Sequence, residues 1–530
     1  MARTCDGHPC RRAPFLAPGP HLGRLMPYLL LTGSTGLLGG QLLRDALVAR
    51  RPVAAVVRGR GRQTGRDRLE AMIQHWETQL GKNLPRPVVI DGDLHEPGLG
   101  VSAVERRWIA EHCDAVLHSA ARVSFESDDE AGEPLRSNVG GTQHLLQLCE
   151  ASGVRRLYHV STAYVAGRRT GAIREDDPVG AEGFCNEYER TKAVAEQLVR
   201  SAKHLQSATI LRPSIIVGDS LTGFASAFHG IYTPLRLGYL HLLGKLREGW
   251  QLDLQLVESV VNGQFIDQLG LTGHERKNLV PVDWVSRSVM SVVADPNAAG
   301  HTYHLTADEP TTIGALAVAM IDAALTSLES AATVKPGIPS TLLQAEGFRE
   351  HMQVYREYLG DDPQFVAAAI RSVRGGTACP TLDHDGLVRL WAWAIEADFT
   401  WRPPVAALPK VDLAAALAGL PGGGDGSNWS CRLDLTGPGG GSWRVAVGTD
   451  ALVAAEPAAP GDLPRIALSA ETLSEIAAHR LQLETAVDSG RVTAIGDGSR
   501  QILFDVFPRL IALLAAAQAP APIAPANRPA

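Results

Sequence analysis

The apolar run Tyr28 to Leu31 leads directly into Thr32-Gly33-Ser34-Thr35-Gly36-Leu37-Leu38-Gly39, and few folds accommodate that junction. A strand that ends in closely spaced glycines and restarts as a helix aims backbone N–H groups and the positive end of a helix dipole at one point, which suits a pyrophosphate. The spacing Gly33-x-x-Gly36-x-x-Gly39 differs from the common dinucleotide fingerprint by one residue before the second glycine. The glycines still serve a tight turn, close approach of phosphate, and close packing of helix on strand. The following helix, about Leu37 to Ala49, carries Leu38, Leu42, Leu43 and Leu47 at helical spacing. Taken alone, such a turn also occurs in other α/β proteins.

A second motif lies far downstream. Tyr188-Glu-Arg-Thr-Lys192 puts a phenol and an ammonium one helical turn apart on the same face, where the cation can tune the phenol as a proton donor or acceptor. An exposed helical pair of no consequence has the same spacing. In this order and at this separation, the two motifs together point to an NAD(P)-dependent oxidoreductase.

The stretches between them read as alternating strands and helices. Val53 to Val57 is a strand whose end would carry a carboxylate for the ribose 2′-hydroxyl of NAD. Arg58 stands there instead, followed by Arg60 and Arg62. An arginine suits the 2′-phosphate of NADP through paired charged hydrogen bonds, so NADP (as NADPH) is the expected cofactor; a solvated basic loop is the alternative. Val88 to Ile90 ends in Asp91-Gly92-Asp93-Leu94, and Ala115 to Leu117 ends in His118-Ser119-Ala120-Ala121. With intervening helices such as Ser137 to Ser152, the pattern predicts an α/β fold with a doubly wound parallel (Rossmann) sheet.

The charge balance narrows the partners. A net charge of −7, with no basic run interleaved with aromatics, offers nothing for nucleic acid to bind. The seven cysteines lie scattered, which favours reduced thiols and a cytoplasmic location over a disulfide frame. The spacing of Cys5, His8, Cys10 and His21 fits no zinc pattern, and no metal is expected. No transmembrane segment is expected: the apolar stretch Leu510 to Ala517 is too short to cross a bilayer. Residues 1–25, rich in Arg, Pro and Gly, read as a disordered, dispensable leader rather than a signal peptide.

The ordered set of motifs resembles an extended short-chain dehydrogenase/reductase. It comprises the glycine turn, Gly92-Asp-Leu94, His118-Ser-Ala-Ala121, Asn138-Val-Gly-Gly-Thr142, Val160-Ser-Thr-Ala-Tyr-Val-Ala-Gly167, Tyr188-x-x-x-Lys192 and Leu211-Arg-Pro-Ser-Ile-Ile-Val-Gly-Asp219. Within that superfamily it is most similar to the male-sterility branch, which includes fatty acyl-CoA reductases and terminal thioester reductase domains. The similarity runs from about Met26 to Leu305.

The resemblance implies roles for particular residues. Tyr188 would deliver a proton to the developing alkoxide, Lys192 would lower its pKa and hold the nicotinamide ribose, and Thr162 would hydrogen-bond the carbonyl oxygen. Alignment on Gly167 favours Thr162 over Ser161. The residues expected to hold the dinucleotide begin with Gly33, Ser34, Thr35, Gly36, Leu37 and Leu38 of the turn. They continue with Arg58, Asp93, Leu94, Ala120, Ala121, Asn138, Tyr188, Lys192, Pro213 and Ser214. For Asn138, ordering a water or backbone contact competes with the plainer role of capping a helix, which is preferred.

From His229 to about Arg402 the pattern turns mostly helical, with returning strands near Leu279 and Tyr303. In the superfamily this part forms the substrate lobe, where Tyr355, Tyr358, Phe365, Trp391 and Trp393 would line a channel or, more simply, pack a core. Glycines around Pro421 to Ser427 mark a break. Cys431 to Leu435 and Trp443 to Val447 then read as a hairpin with one buried face, and Ser469 to His479 as a helix. Residues 430–517 resemble a sterol carrier protein-2-like α+β domain through Leu468-Ser-Ala-Glu-Thr-Leu473, Ala486-Val-Asp-Ser-Gly-Arg-Val492 and Ile495-Gly-Asp497. Such domains enclose an apolar tunnel for acyl or sterol-like molecules; a domain that only stabilises or dimerises is the alternative. The expected organisation is a reductase domain over 26–405 (core 26–228, lobe 229–405), a linker 406–429, a carrier-like domain 430–517 and a disordered tail 518–530.

The leading expectation is an NADPH-dependent reductase of a lipophilic acyl thioester, giving aldehyde or alcohol. No phosphopantetheine-bearing carrier motif stands in the chain, so the thioester would arrive as a CoA ester or on a separate carrier protein. A dehydrogenase or ketoreductase of a hydroxylated lipid, sterol or polyketide would use the same three residues. An NADP-sensing lipid-binding protein without turnover is the third reading, and a homodimer is compatible with all of them.

Overall fold

A computed structural model of the chain describes residues 27–61, 63–125, 132–247, 270–330, 355–373, 377–403, 429–436, 441–447, 452–455, 463–496, 498–505, 507–508 and 511. The expected leader and tail, nearly all of the linker, Arg62, and the cysteine and histidine pairs of the first 25 residues lie outside the described residues. So does the apolar stretch Leu510 to Ala517 apart from Ile511.

Short apolar runs bounded by turns become the strands β1 (Tyr28–Thr32), β2 (Val53–Val57), β3 (Val88–Asp91), β4 (Cys113–His118), β5 (Arg156–Val160), β6 (Ser207–Pro213) and β7 (Thr302–Leu305). Among the described residues they form one seven-stranded sheet in the order β7-β6-β5-β4-β1-β2-β3. Every pairing in it is parallel. Helices α1 (Leu37–Val48), α2 (Gly65–Leu80), α3 (Ala103–His112), α4 (Gly141–Ser152) and α5 (Glu187–Ser201) cross between strands. Covering both faces of a parallel sheet explains why its strands are apolar throughout rather than alternating. On β1, Leu29 and Leu31 join the core beneath α1, whereas Leu30 joins the opposite core with Trp108 and Leu145.

Strand order reverses between β1 and β4, which are neighbours although two strands separate them in sequence. Ligands in open α/β sheets bind in the crevice outside the carboxyl ends at such a reversal. Both the glycine turn and His118-Ser119-Ala120-Ala121 sit there. The helix expected over Ser137 to Ser152 begins as a π turn, Arg136–Gly140, before α4 proper.

The part expected to form the substrate lobe is mainly helical, with α6 (Tyr232–Arg247) and the helices Ile313–Ser330 and His384–Glu396 around a second core. Trp391, 2% exposed, fills that core and stacks edge-on to Tyr232. The strand expected near Leu279 is Leu279–Pro281, which pairs with Ile215–Val217 rather than joining the main sheet. No helix among the described residues is long and apolar enough to cross a membrane.

The C-terminal residues form a separate five-stranded sheet. Its order is Leu452–Ala455, Gly441–Val447, Trp429–Thr436, Arg465–Ser469, Val492–Ile495. The expected hairpin is present, with Leu433 opposite Trp443 and Cys431 opposite Val445. These four side chains are buried with Leu473, Ile476 and Phe507. The Ser469 hydroxyl accepts a hydrogen bond from the Thr472 N–H at 3.0 Å and caps the helix Ala470–Ala477.

This second unit docks on the edge of the parallel sheet. Asp434 has no solvent exposure and is met by Arg66 of α2, Arg432 (2.9 Å) and Arg465 (2.7 Å), while Ser442 donates to it at 2.7 Å. Arg465 also binds Glu105 of α3 at 3.0 Å and the carbonyl of Val89 on edge strand β3. Burial alone would raise the Asp434 pKa, but the three guanidinium groups outweigh it and hold the carboxyl well below the usual carboxylate range. Ile495 completes the contact by joining the apolar core beneath β3 and α3. Removing one member of such a network leaves buried charge without a partner. Asp434→Ala should therefore cost about 3 kcal/mol or more in a urea unfolding experiment. An unchanged midpoint would show that the docking does not depend on it.

Candidate active site

The floor of the site is built by glycines. Gly33 has φ +78°, and a Cβ there would lie 2.6 Å from the backbone nitrogen of Ala120, so only glycine lets β1 and β4 end so close together. A Cβ on Gly39 would collide with the Gly33 carbonyl. Helices α2, α3 and α5 each open on a side chain that accepts a hydrogen bond from their first turn. By contrast, α1 opens on Gly36, with no side-chain cap and no acidic residue in its first turn. Its free N–H groups and dipole border the pocket that Gly36, Leu37 and Leu38 line, and this fits a dinucleotide pyrophosphate.

Where β2 ends, Arg58 is largely exposed and reaches Asp93 at 3.3 Å. Arg68 of α2 folds back to the same place, donating to the Arg58 carbonyl at 2.8 Å and to the Thr35 hydroxyl at 3.0 Å. Burial lowers the Arg68 pKa, and the charges of Arg60 and Arg58 lower it further. A cluster of cations thus flanks the glycine turn with Asp93 as a counter-charge. Arg68 escapes a sequence reading because nothing in its helix says that it returns to the loop before it.

The three residues expected to react lie together on one cavity of about 230 Å³, between the ends of β5 and β6 and the start of α5. Tyr188 is the second residue of α5, and its placement depends on the helix cap. The Asn186 side chain accepts from the Glu189 N–H at 2.9 Å and donates to the Glu189 carboxylate at 3.0 Å, which also accepts from the Cys185 N–H. Burial and the nearby Glu189 push the Tyr188 phenol up to about 12, opposed by the neighbouring Thr162 hydroxyl. It therefore holds its proton at neutral pH. The Thr162 hydroxyl also lies 3.4 Å from the Pro213 carbonyl.

Lys192 is 3% exposed and donates to the Val160 carbonyl at 2.6 Å. Burial pushes its pKa down to about 8, while Glu196, one turn further along α5, pulls it back up. Glu196 has no solvent exposure and is the residue a sequence reading most easily misses here. It accepts from Ser161 at 2.8 Å and binds Arg212 at 2.6 Å, so one carboxylate ties α5 to the ends of β5 and β6. The signal was present in the sequence as a third polar position on the face of Tyr188 and Lys192. Ser161 is thus turned to Glu196, whereas Thr162 lines the cavity with Tyr188.

The remaining predicted residues separate into two groups. Ala121, Pro213 and Ser214 line the same cavity. Ser34 is buried, and Leu94 lies outside the cavity, its carbonyl held by His144 at 2.8 Å. Asn138 does not cap a helix: it sits inside the π turn and is fully buried. Its side chain accepts from the Arg122 N–H at 2.8 Å and donates to the Arg122 carbonyl and to Thr191, both at 3.0 Å. That pairing steadies the segment after β4 against α5. The capping expectation fails because the chain is already helical on both sides of Asn138.

A doubly wound sheet that brings Thr162, Tyr188 and Lys192 over a bare glycine turn defines an extended short-chain dehydrogenase/reductase, a class of nicotinamide-dependent oxidoreductases. Residues 31–289 match the family described as Male sterility protein. The chain is 28% identical over 303 residues to the nonribosomal peptide synthetase asaC of Aspergillus flavus, covering 53% of this chain and 26% of that protein. It is 31% identical over 171 residues to fatty acyl-CoA reductase wat of Drosophila melanogaster, covering 27% of this chain and 33% of that one. The chain thus spans a third or less of the length of these relatives. In three dimensions it is similar to the terminal R domain from the myxalamid PKS-NRPS biosynthetic pathway, with a TM-score of 0.53 and 26% identity. That likeness covers 72% of this chain and 94% of the R domain.

Glu196→Gln removes the group that opposes desolvation of Lys192, so the lysine loses its charge at lower pH. The alkaline limb of the kcat/KM profile should move to lower pH, with turnover at pH 8 down about tenfold. An unmoved limb would show that Glu196 does not act on Lys192.

Proposed function

We propose that this protein is an NADPH-dependent reductase of a lipophilic acyl thioester, carried on CoA or on a separate carrier protein, with an aldehyde or alcohol as product. The observation that carries the reading is the convergence of a proton-holding phenol, a hydroxyl and a buried cation beside an uncapped helix N-terminus. The match of residues 31–289 to the male-sterility family and the likeness to an R domain support it. When bound, the cofactor supplies hydride to the carbonyl carbon. Thr162 and Tyr188 hydrogen-bond the carbonyl oxygen, and Tyr188 gives up its proton to it as charge develops. The resulting hemithioacetal loses thiol to leave an aldehyde. Lys192, buried at the cavity and seated on the Val160 carbonyl, would hold the nicotinamide ribose.

The cations Arg58, Arg60 and Arg68 favour a 2′-phosphate, hence NADPH over NADH. The sequence resemblance of residues 430–517 to sterol carrier domains supports a carrier site for a poorly soluble substrate beside the reductase.

Purified protein should oxidise NADPH with long-chain acyl-CoAs or acyl-pantetheines and not with simple ketones. Turnover with ketones or secondary alcohols alone would replace the thioester reading by a ketoreductase. Tyr188→Phe should lower kcat by about 10²–10⁴ while NADPH binding, followed by fluorescence, stays unchanged. Arg58→Asp should reduce the NADPH/NADH preference in kcat/KM at least about tenfold, the scale of one lost charged hydrogen bond. An unaltered ratio would place phosphate recognition on other residues.

A further inference from the structure

The lobe contributes a second buried polar cluster to the wall facing Tyr188. Lys277 is 1% exposed and donates to the carbonyls of Tyr358 (2.5 Å) and Gly360 (3.0 Å) and to the Asp362 carboxylate (2.5 Å). The other Asp362 oxygen accepts from the Asn278 N–H at 2.7 Å and from the Tyr164 hydroxyl at 2.6 Å. Tyr164 follows Thr162 by two residues, and its N–H lies 3.3 Å from the Thr162 hydroxyl oxygen. One carboxylate therefore fixes both the turn that presents Thr162 and the lobe segment that presents Tyr358.

Tyr358 is where this clamp meets the cavity. Its ring lies 4.6 Å from that of Phe125 and 6.4 Å from that of Tyr164, with the Lys277 ammonium 5.1 Å from its centroid. All three rings line the same cavity as Thr162 and Tyr188. The hydroxyl end reaches the turn at Gly230, where a Cβ would come within 3.1 Å of it. A cavity of about 230 Å³ is small for a nicotinamide and an acyl group together, so the ring that closes it decides what fits beside the carbonyl.

We propose that Tyr358 is the specificity-determining residue of this site, its ring forming the wall against which the substrate group next to the reacting carbonyl lies, and that Lys277 and Asp362 are the positioning residues that hold it there. The inference rests on the reductase reading above and adds the substrate class: an apolar group unbranched at the carbon next to the carbonyl. The ion pair fixes the Tyr358 backbone through its carbonyl, and packing against Phe125, Tyr164 and the Lys277 ammonium holds the ring itself over the cavity. The Tyr164, Tyr358 and Phe125 rings also present no free charge to an acidic or basic acyl chain.

The test compares straight-chain with α-branched and aryl substrates as a ratio of kcat/KM, for whichever carbonyl class the wild-type protein reduces. Tyr358→Ala should raise the branched/straight ratio about tenfold, the scale of rejection by an apolar pocket wall, without change in NADPH affinity. Tyr358→Leu gives the same comparison if the alanine variant does not fold. Asp362→Asn should shift the ratio the same way by a smaller factor, mainly through KM. A ratio within twofold of wild type in the Tyr358 variants overturns the specificity role. A shift there with none in Asp362→Asn overturns the positioning role. Wild-type turnover of ketones but not thioesters sinks the thioester reading while the same ratios still judge Tyr358; no turnover of any carbonyl compound overturns both.

Discussion

A carboxylate with no access to water has to be neutralised where it stands, and Glu196 is neutralised by Arg212 and Arg200 while Ser161 donates a hydrogen bond to it. Arg212 and Ser161 sit at the ends of two parallel strands, and Glu196 itself sits on the helix that carries Tyr188 and Lys192. These two contacts leave that helix one position relative to the sheet. From this follow the meeting of Thr162 with Tyr188, the seating of the Lys192 ammonium on the Val160 carbonyl, and the cavity between them. A buried charge is a costly way to gain stability, but it is an exacting way to set a register between a helix and two strands.

The same device recurs twice. Asp362 binds Lys277, Tyr164 and a backbone N–H, and thereby joins the lobe to the turn that carries Thr162. Asp434 gathers three arginines and joins the C-terminal sheet to the edge of the parallel sheet. That docking also meets the unpaired edge of β3, since Arg465 occupies the Val89 carbonyl that would otherwise be open to another strand. Apolar packing supplies most of the stability of each unit, and the buried carboxylates fix how the units face one another.

Electrostatics then divides the labour inside the site. Desolvation raises the Tyr188 phenol and so keeps it a neutral acid, whereas it lowers the Lys192 ammonium, and Glu196 opposes that loss of charge. The sequence pattern suggests that Lys192 acts directly on the phenol. In the structure its ammonium is bonded to the Val160 carbonyl, and the phenol feels burial and Glu189 most.

Much of this was legible in the chain itself. The strands and helices of the nucleotide half, the glycine turn and the spacing of Tyr188 and Lys192 are local features, set by backbone sterics, helical periodicity and the alternation of apolar runs. The hairpin of Cys431–Leu435 and Trp443–Val447 was equally local. What the sequence could not settle depends on residues far apart in the chain. Arg68 returns to a loop, Asn138 trades its expected capping role for a pairing with Arg122 and Thr191, and Tyr358 and Asp362 reach Tyr164 across nearly two hundred residues. Periodicity tells which face of an element is buried, but not which buried polar group will find which partner. That choice is made only when the elements pack and each desolvated charge must be met.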